Sequence, residues 1–364
     1  MPPPKYGGTE LVVYNLVEEL VRLGHDVTLL ASGDSQTSAK LVPCVPASVR
    51  TLPEASHYSI RTALNYSGLA RALRTIQGKR FDILHNHIGW PVLIFSDFVR
   101  CPMVTTMHGT LAERSEHYIY NKFGSERFIS ISMAQRRPLP HINYIANVYN
   151  GIDVSRFRFT SQPKDYVAFL GRIHPDKGPK QAIAIARRLG LKLIIAAKVD
   201  PTDEAYFKRE IEPEIDGRQV VFLGEVGHSA KVELLRHARA LLSPIQWDEP
   251  FGLVNTEAMA CGTPVMTMAR GSIPEIVVDK KVGVVANSEQ ELVQRWPEVA
   301  AINRWECRRH VEANFSLSTM TEGYLAAYRR TIEEHNQARL NRSRLHLDLR
   351  QTGYGNLRTQ GNLP

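Results

Sequence analysis

Glu249-Pro-Phe-Gly-Leu-Val-Asn-Thr-Glu257-Ala-Met-Ala-Cys-Gly262-Thr-Pro-Val265 reads as a loop, a short helix and the start of a strand. The helix is predicted over 252–260, with Gly262-Thr-Pro as its stop. Short apolar runs at 240–243 and 264–267 lie on either side, and each has the length of a buried strand rather than of a helix. Strand, helix and strand in close succession imply a parallel pair covered by a helix.

The same alternation extends outward. Upstream strands are predicted at Tyr166 to Leu170, 191–197 and 219–223, with helices at 178–189, 203–212 and 229–238. A turn at Asn150-Gly151-Ile152-Asp153 and a polar stretch from Thr160 to Lys164 interrupt the pattern. Before them, Leu11 to Leu23 has helical apolar spacing ended by Gly24. Apolar runs follow at Val27 to Ala31, Phe81 to Leu84, Met103 to Met107 and Phe128 to Ile131. The prediction is an α/β protein of two Rossmann-like, doubly wound domains facing across a cleft, the first over 1–155 and the second over 156–315. A helix over 316–335 carries Met320, Tyr324, Ala327, Tyr328 and Ile332 at helical spacing. The remainder, 336–364, is polar and basic and is predicted to be disordered. The first domain opens on the loop Pro3-Pro4-Lys5-Tyr6-Gly7-Gly8 with no strand before it, so either the first strand lies upstream of Met1 or the domain lacks a central strand.

Composition narrows the class. A chain of 364 residues suits two domains and a tail, and 43% hydrophobic with 23% charged residues is a globular balance. No apolar run reaches the roughly 18 residues of a membrane span, and the N-terminus lacks the apolar stretch of a signal peptide, so a cytoplasmic protein is expected. Cys44, Cys101, Cys261 and Cys307 are scattered, which predicts neither a disulfide nor a zinc site. Net charge +8 points to an anionic partner: nucleic acid, an anionic membrane surface or a phosphorylated substrate. The basic tail has no interleaved aromatics, which argues against nucleic acid.

The chemistry lies in the opening stretch. Glu249 falls in the loop and Glu257 about one turn inside the helix. Carboxylates accept hydrogen bonds from vicinal hydroxyls, as in a hexose or a ribose. The helix N-terminus beside Gly252 offers N–H groups and partial positive charge to a phosphate. Sugar and phosphate at one place suggest a nucleotide sugar. At these residues the sequence resembles the retaining glycosyltransferases of family 4, whose mark is E-x7-E within E-P-F-G-L…E-A-M-A-C-G-T-P-V. The resemblance spans about residues 4 to 335 and implies the GT-B architecture, with the C-terminal helix crossing back to the first domain. It implies that Glu249 contacts sugar hydroxyls and Glu257 the ribose, with Phe251, Gly252, Leu253 and Val254 completing the donor site.

Other segments agree with it. Gly171-Arg172-Ile-His-Pro-Asp-Lys177-Gly178 follows the first strand of the second domain, on the ligand side of such a sheet. The resemblance implies that Arg172 and Lys177 grip the diphosphate and offset its charge as it leaves. Gly7-Gly8 permits close backbone approach to a phosphate or sugar. His87 and His108 each follow an apolar strand. Family members carry T-x-H-G, which places His108 near the anomeric carbon; His87 is open between a turn residue and an acceptor-side group. The expected activity is transfer of a hexose from a UDP- or GDP-linked donor, with retention, to a hydroxyl of a glycan or lipid-linked acceptor. The donor is a co-substrate, and neither a cofactor nor a metal ion is expected, since there is no Asp-x-Asp-type cluster. Peripheral association with the inner face of the membrane is a further expectation. Two rival readings stand beside these: a truncated or degenerate protein that binds nucleotide sugar without turnover, and a sugar-nucleotide epimerase.

Overall fold

The computed structural model describes residues 7–49 and 51–351. The loop residues Pro3, Pro4, Lys5 and Tyr6 lie outside them. The chain opens with α1 (Gly8–Arg22), whose Val12, Leu16, Val17 and Leu20 turn one face inward. Gly24, at φ +88, follows it. Strand β1 (Thr28–Ser32) pairs in parallel with β2 (Lys40–Val45), and α2 (Tyr58–Gly78) leads to β3 (Leu84–Asn86). After α3 (Trp90–Leu93) come β4 (Met103–Thr106), α4 (Arg114–Lys122), β5 (Phe128–Ser130) and β6 (Tyr144–Asn147). Strands β3, β4, β5 and β6 form a parallel sheet in that order, separate from β1 and β2. Among the described residues β1 and β3 each have one ladder partner only.

The second unit contains β7 (Val167–Arg172), α5 (Pro179–Arg188), β8 (Leu193–Lys198), α6 (Glu204–Tyr206), β9 (Val220–Phe222), α7 (His228–His237) and β10 (Leu241–Ser243). It continues through α8 (Leu253–Ala260), β11 (Val265–Met268), α9 (Ile273–Ile276), β12 (Gly283–Ala286), α10 (Glu289–Gln294) and α11 (Arg304–Asn314). Its six parallel strands run β12-β11-β10-β7-β8-β9. The order reverses between β10 and β7, and a doubly wound sheet binds ligands outside the carboxyl ends of the strands at such a point. The predicted helix over 203–212 is a single α-turn followed by π winding over Phe207–Ile211, and Pro213 blocks its continuation.

Helix α12 (Leu317–Gln351) returns to the first unit. Met320, Tyr324 and Tyr328 share a core with Val12, Leu16, Val104 and Ile129, so the last helix completes the first domain's packing. Ile152 N–H donates to the Phe315 carbonyl at 2.9 Å where the two crossovers meet. The expectation of a disordered tail from 336 is corrected as far as Gln351, because the helix continues there. Gln337-Ala-Arg-Leu-Asn-Arg holds good helix formers, and no glycine or proline follows until Gly353. Residues 352–364 lie outside the described residues.

Candidate active site

A cleft of about 810 Å³ separates the two units. It is lined by Gly7, Gly8 and His108 on one side, and on the other by Arg172, Lys177, Glu249, Phe251, Gly252, Leu253, Val254 and Glu257. His87 is absent from the lining and stands behind His108.

Two loops leave the sheet where its order reverses. Arg172 ends β7 and Lys177 lies in the loop that follows it; the β10 loop carries Trp247 and Glu249. Their packing requires Gly178: at φ +72, a Cβ there would sit 2.1 Å from the Pro244 carbonyl oxygen. Gly271 likewise sits against the backbone of Glu249, where a Cβ would lie 2.4 Å from its oxygen. The loop that presents Glu249 is thus clamped from two sides.

Glu249 Oε2 accepts from Lys177 Nζ at 2.5 Å and from Trp247 Nε1–H at 2.9 Å, and the ammonium lies 4.5 Å from the Trp247 ring centre. This carboxylate and ammonium hold each other at the mouth of α8. Glu257, buried in α8, accepts a hydrogen bond from Lys231 of α7. Lys231 also lies 5.6 Å from the Phe157 ring centre. Arg172 faces Asp200 at 3.6 Å and Asp203 at 3.9 Å, while its buried Nε has no hydrogen-bond partner. Each acidic residue therefore has a cation beside it, and Arg172 retains donor capacity for an anion. Asn255, in the first turn of α8, lines the cleft with both amide atoms buried and without a partner. A buried amide of this kind is costly unless a ligand or water satisfies it.

On the first domain, burial pushes the His108 imidazole down to about 4, so the ring is neutral at physiological pH. Its Nε2 is 3.0 Å from His87 Nδ1. Contacts between the domains meet the donor side directly. Ser132 donates through Oγ to the Pro250 carbonyl at 2.7 Å. Glu275 accepts from the backbone N–H groups of Met133 at 2.8 Å and Ala134 at 2.6 Å, and from the Tyr149 hydroxyl at 3.0 Å.

Lys231, Trp247 and Glu275 carry no motif of their own, and Asn255 lies within the 249–257 run without a role read for it there. Trp247 stood two residues before Glu249 and was legible by proximity; Lys231 and Glu275 reach the site only through the fold.

Residues 6–156 match the family model described as Glycosyltransferase Family 4, and residues 152–305 match Glycosyl transferases group 1. A glycogen synthase of Mycobacterium tuberculosis (strain CDC 1551 / Oshkosh) is 28% identical, over 78% of this chain and 79% of its own. The crystal structure of AviGT4, a glycosyltransferase involved in avilamycin A biosynthesis, superposes with a TM-score of 0.68 at 26% identity, covering 91% of this chain and 92% of that one. Anabaena Alr3699/HepE in complex with UDP-glucose shares the fold, with a TM-score of 0.67 at 19% identity over 92% of this chain and 97% of its own. The two family models join at residues 152–156, where the chain crosses from one sheet to the other. This chain belongs to the group 1 glycosyltransferases, GT-B proteins that transfer a sugar from a nucleotide-sugar donor.

Proposed function

We propose that this chain moves a hexose from a UDP- or GDP-linked donor to a hydroxyl of a glycan or lipid-linked acceptor, with retention of configuration and without a metal ion. The observation that carries the reading is the meeting of Lys177, Glu249 and Arg172 at the carboxyl ends of β7 and β10, with His108 and the Gly7-Gly8 loop lining the same cleft.

Glu249 accepts hydrogen bonds from sugar hydroxyls and Glu257 from the ribose hydroxyls, each carboxylate paired with a lysine. Arg172, Lys177 and the N-terminus of α8 neutralise the diphosphate as the bond to the anomeric carbon breaks. The acceptor hydroxyl attacks from the face that the diphosphate leaves, and that diphosphate takes its proton. His108 contacts the reacting sugar from the first domain. Closure across the cleft keeps water from competing with the acceptor. The glycogen synthase relative supports a hexose donor and a glycan acceptor; the UDP-glucose complex of the Anabaena neighbour supports the uridine form.

Thermal shift and transfer assays with UDP- and GDP-sugars test this. Donor-specific stabilisation that Glu249→Ala weakens is expected, and no response to any sugar nucleotide would end the reading. One observation favours a second reading, binding without turnover: β1 and β3 each have a single ladder partner among the described residues. Transfer by the wild-type chain excludes it.

Net charge +8 supports peripheral association with an anionic membrane face. Among the described residues no helix is long and apolar enough to cross a membrane. Co-sedimentation with anionic vesicles at low salt, and not with neutral ones, is the expected result.

A further inference from the structure

Behind His108 lies a buried polar chain that the transfer chemistry above does not use. His87 Nδ1 and His108 Nε2 are 3.0 Å apart, and the His87 ring lies 3.8 Å from the His85 ring, centre to centre. His85 is held at both nitrogens: Nδ1 is 2.5 Å from the Tyr328 hydroxyl and Nε2 is 2.7 Å from Thr106 Oγ1. Thr106 donates to the Tyr324 hydroxyl at 3.4 Å. Its oxygen is thereby left to accept from His85 Nε2–H, and His85 Nδ1 accepts from the Tyr328 O–H. Both tyrosines belong to α12.

All three rings are neutral at physiological pH: burial and the neighbouring His108 push His85 down to about 3, and burial and both neighbours hold His87 well below the ordinary range. A neutral imidazole has one N–H and one lone pair. In the His87–His108 contact one ring must donate and the other accept, so the two tautomers are complementary. With Nε2 occupied by His87, Nδ1 is the only ring nitrogen of His108 left for a ligand in the cleft.

We propose that His87 is a positioning residue that locks His108 into a single tautomer and ring orientation, and that α12 holds His87 in place through Tyr328 and His85. The C-terminal helix is thereby part of the acceptor-side catalytic machinery, although its residues come from the far end of the chain. The choice of tautomer decides whether the cleft meets an N–H or a lone pair, a difference that matters at the reacting sugar more than in donor affinity. The consequence for turnover rests on the transferase reading; the tautomer lock does not.

Long-range imidazole nitrogen–proton NMR spectra of the full chain labelled with ¹⁵N-histidine read the tautomers directly. His108 is expected as one neutral tautomer in the wild type and as a mixture in His87→Phe, which keeps a ring without a nitrogen. In transfer assays, His87→Phe is expected to lower kcat by about 10-fold or more while calorimetric donor affinity stays within about two-fold, with Tyr328→Phe showing the same pattern more weakly. A mixed His108 tautomer in the wild type, or one unchanged by His87→Phe, overturns the proposal. A parallel loss of kcat and donor affinity overturns it too, since that is the mark of general disruption. Should the wild type transfer nothing while the tautomers behave as stated, the lock stands and the transferase reading fails.

Discussion

Lys231→Met is the substitution whose effect the structure fixes most closely. The Glu257 side chain is only 5% exposed and that of Lys231 19%. Removing the lysine leaves a carboxylate with little access to water and no countercharge, a loss of about 3–5 kcal/mol for a buried pair broken on one side. The contact with the Phe157 face adds about 0.5–1 kcal/mol. Glu257→Gln is milder, about 1–2 kcal/mol, because the longer lysine can carry its ammonium toward solvent. With both changes no charge remains unpaired, so the double variant is expected near Glu257→Gln alone apart from the lost Phe157 contact, with a coupling energy of about 3–5 kcal/mol, the pair loss itself. Urea unfolding of the wild type, both singles and the double, at one pH and one salt concentration, closes the cycle. Effects that add to within about 0.5 kcal/mol would refute the reasoning, since they would mean that the two side chains do not stabilise each other.

Glu249→Ala should abolish the extra thermal stabilisation that a sugar nucleotide gives over the bare nucleoside diphosphate, a loss of about 1.5–3 kcal/mol for hydrogen bonds to a charged group, and an unchanged difference would remove Glu249 from the sugar site. Stability should fall on acidification. His85, His87 and His108 all have folded-state pKa values below the unfolded one, so as pH drops below about 6.5 the unfolded chain takes up protons first; between about pH 7.5 and 5.5 this costs about 1.4 kcal/mol per histidine. His87→Asn should remove about 1.4 kcal/mol of that loss, and a slope that stays the same would show that His87 titrates normally. Glu275→Ala leaves the Met133 and Ala134 N–H groups without their acceptor, so the domains should separate more readily, seen as a larger radius of gyration by small-angle scattering and a raised donor KM. Identical scattering profiles and KM would show that this contact does not hold the cleft closed.

The legible parts of the fold share a physical cause. Tyr166 to Leu170 and the run at 264–267 are buried on both faces, so they read as continuous apolar stretches between helices. Strands β2, β6 and β12 lack that signal. β2 is an edge strand containing Pro43, β6 is a four-residue segment ending in Asn147, and β12 opens on Gly283, where a Cβ would clash with the Val265 carbonyl. In the site, Glu249 and Glu257 were legible because a loop and the first turns of one helix carry both. His85, two residues before His87, carries no sequence signal of its own, since its partners Tyr328 and Thr106 come from α12 and β4.

By itself the sequence determined the two-domain α/β alternation and the placing of Glu249 and Glu257 on one loop and helix, because each rests on interactions within a few residues: apolar periodicity and the spacing along one loop and helix. Only the tertiary structure decided that Lys231 guards Glu257, that Glu275 bridges the domains, and that the last helix reaches back to seat the histidines behind His108. Those contacts join residues from 26 to 243 positions apart. No local pattern records such pairings, because a lysine or tyrosine on a helix face has the same neighbours in sequence whether its partner across the fold is a carboxylate, an imidazole or water.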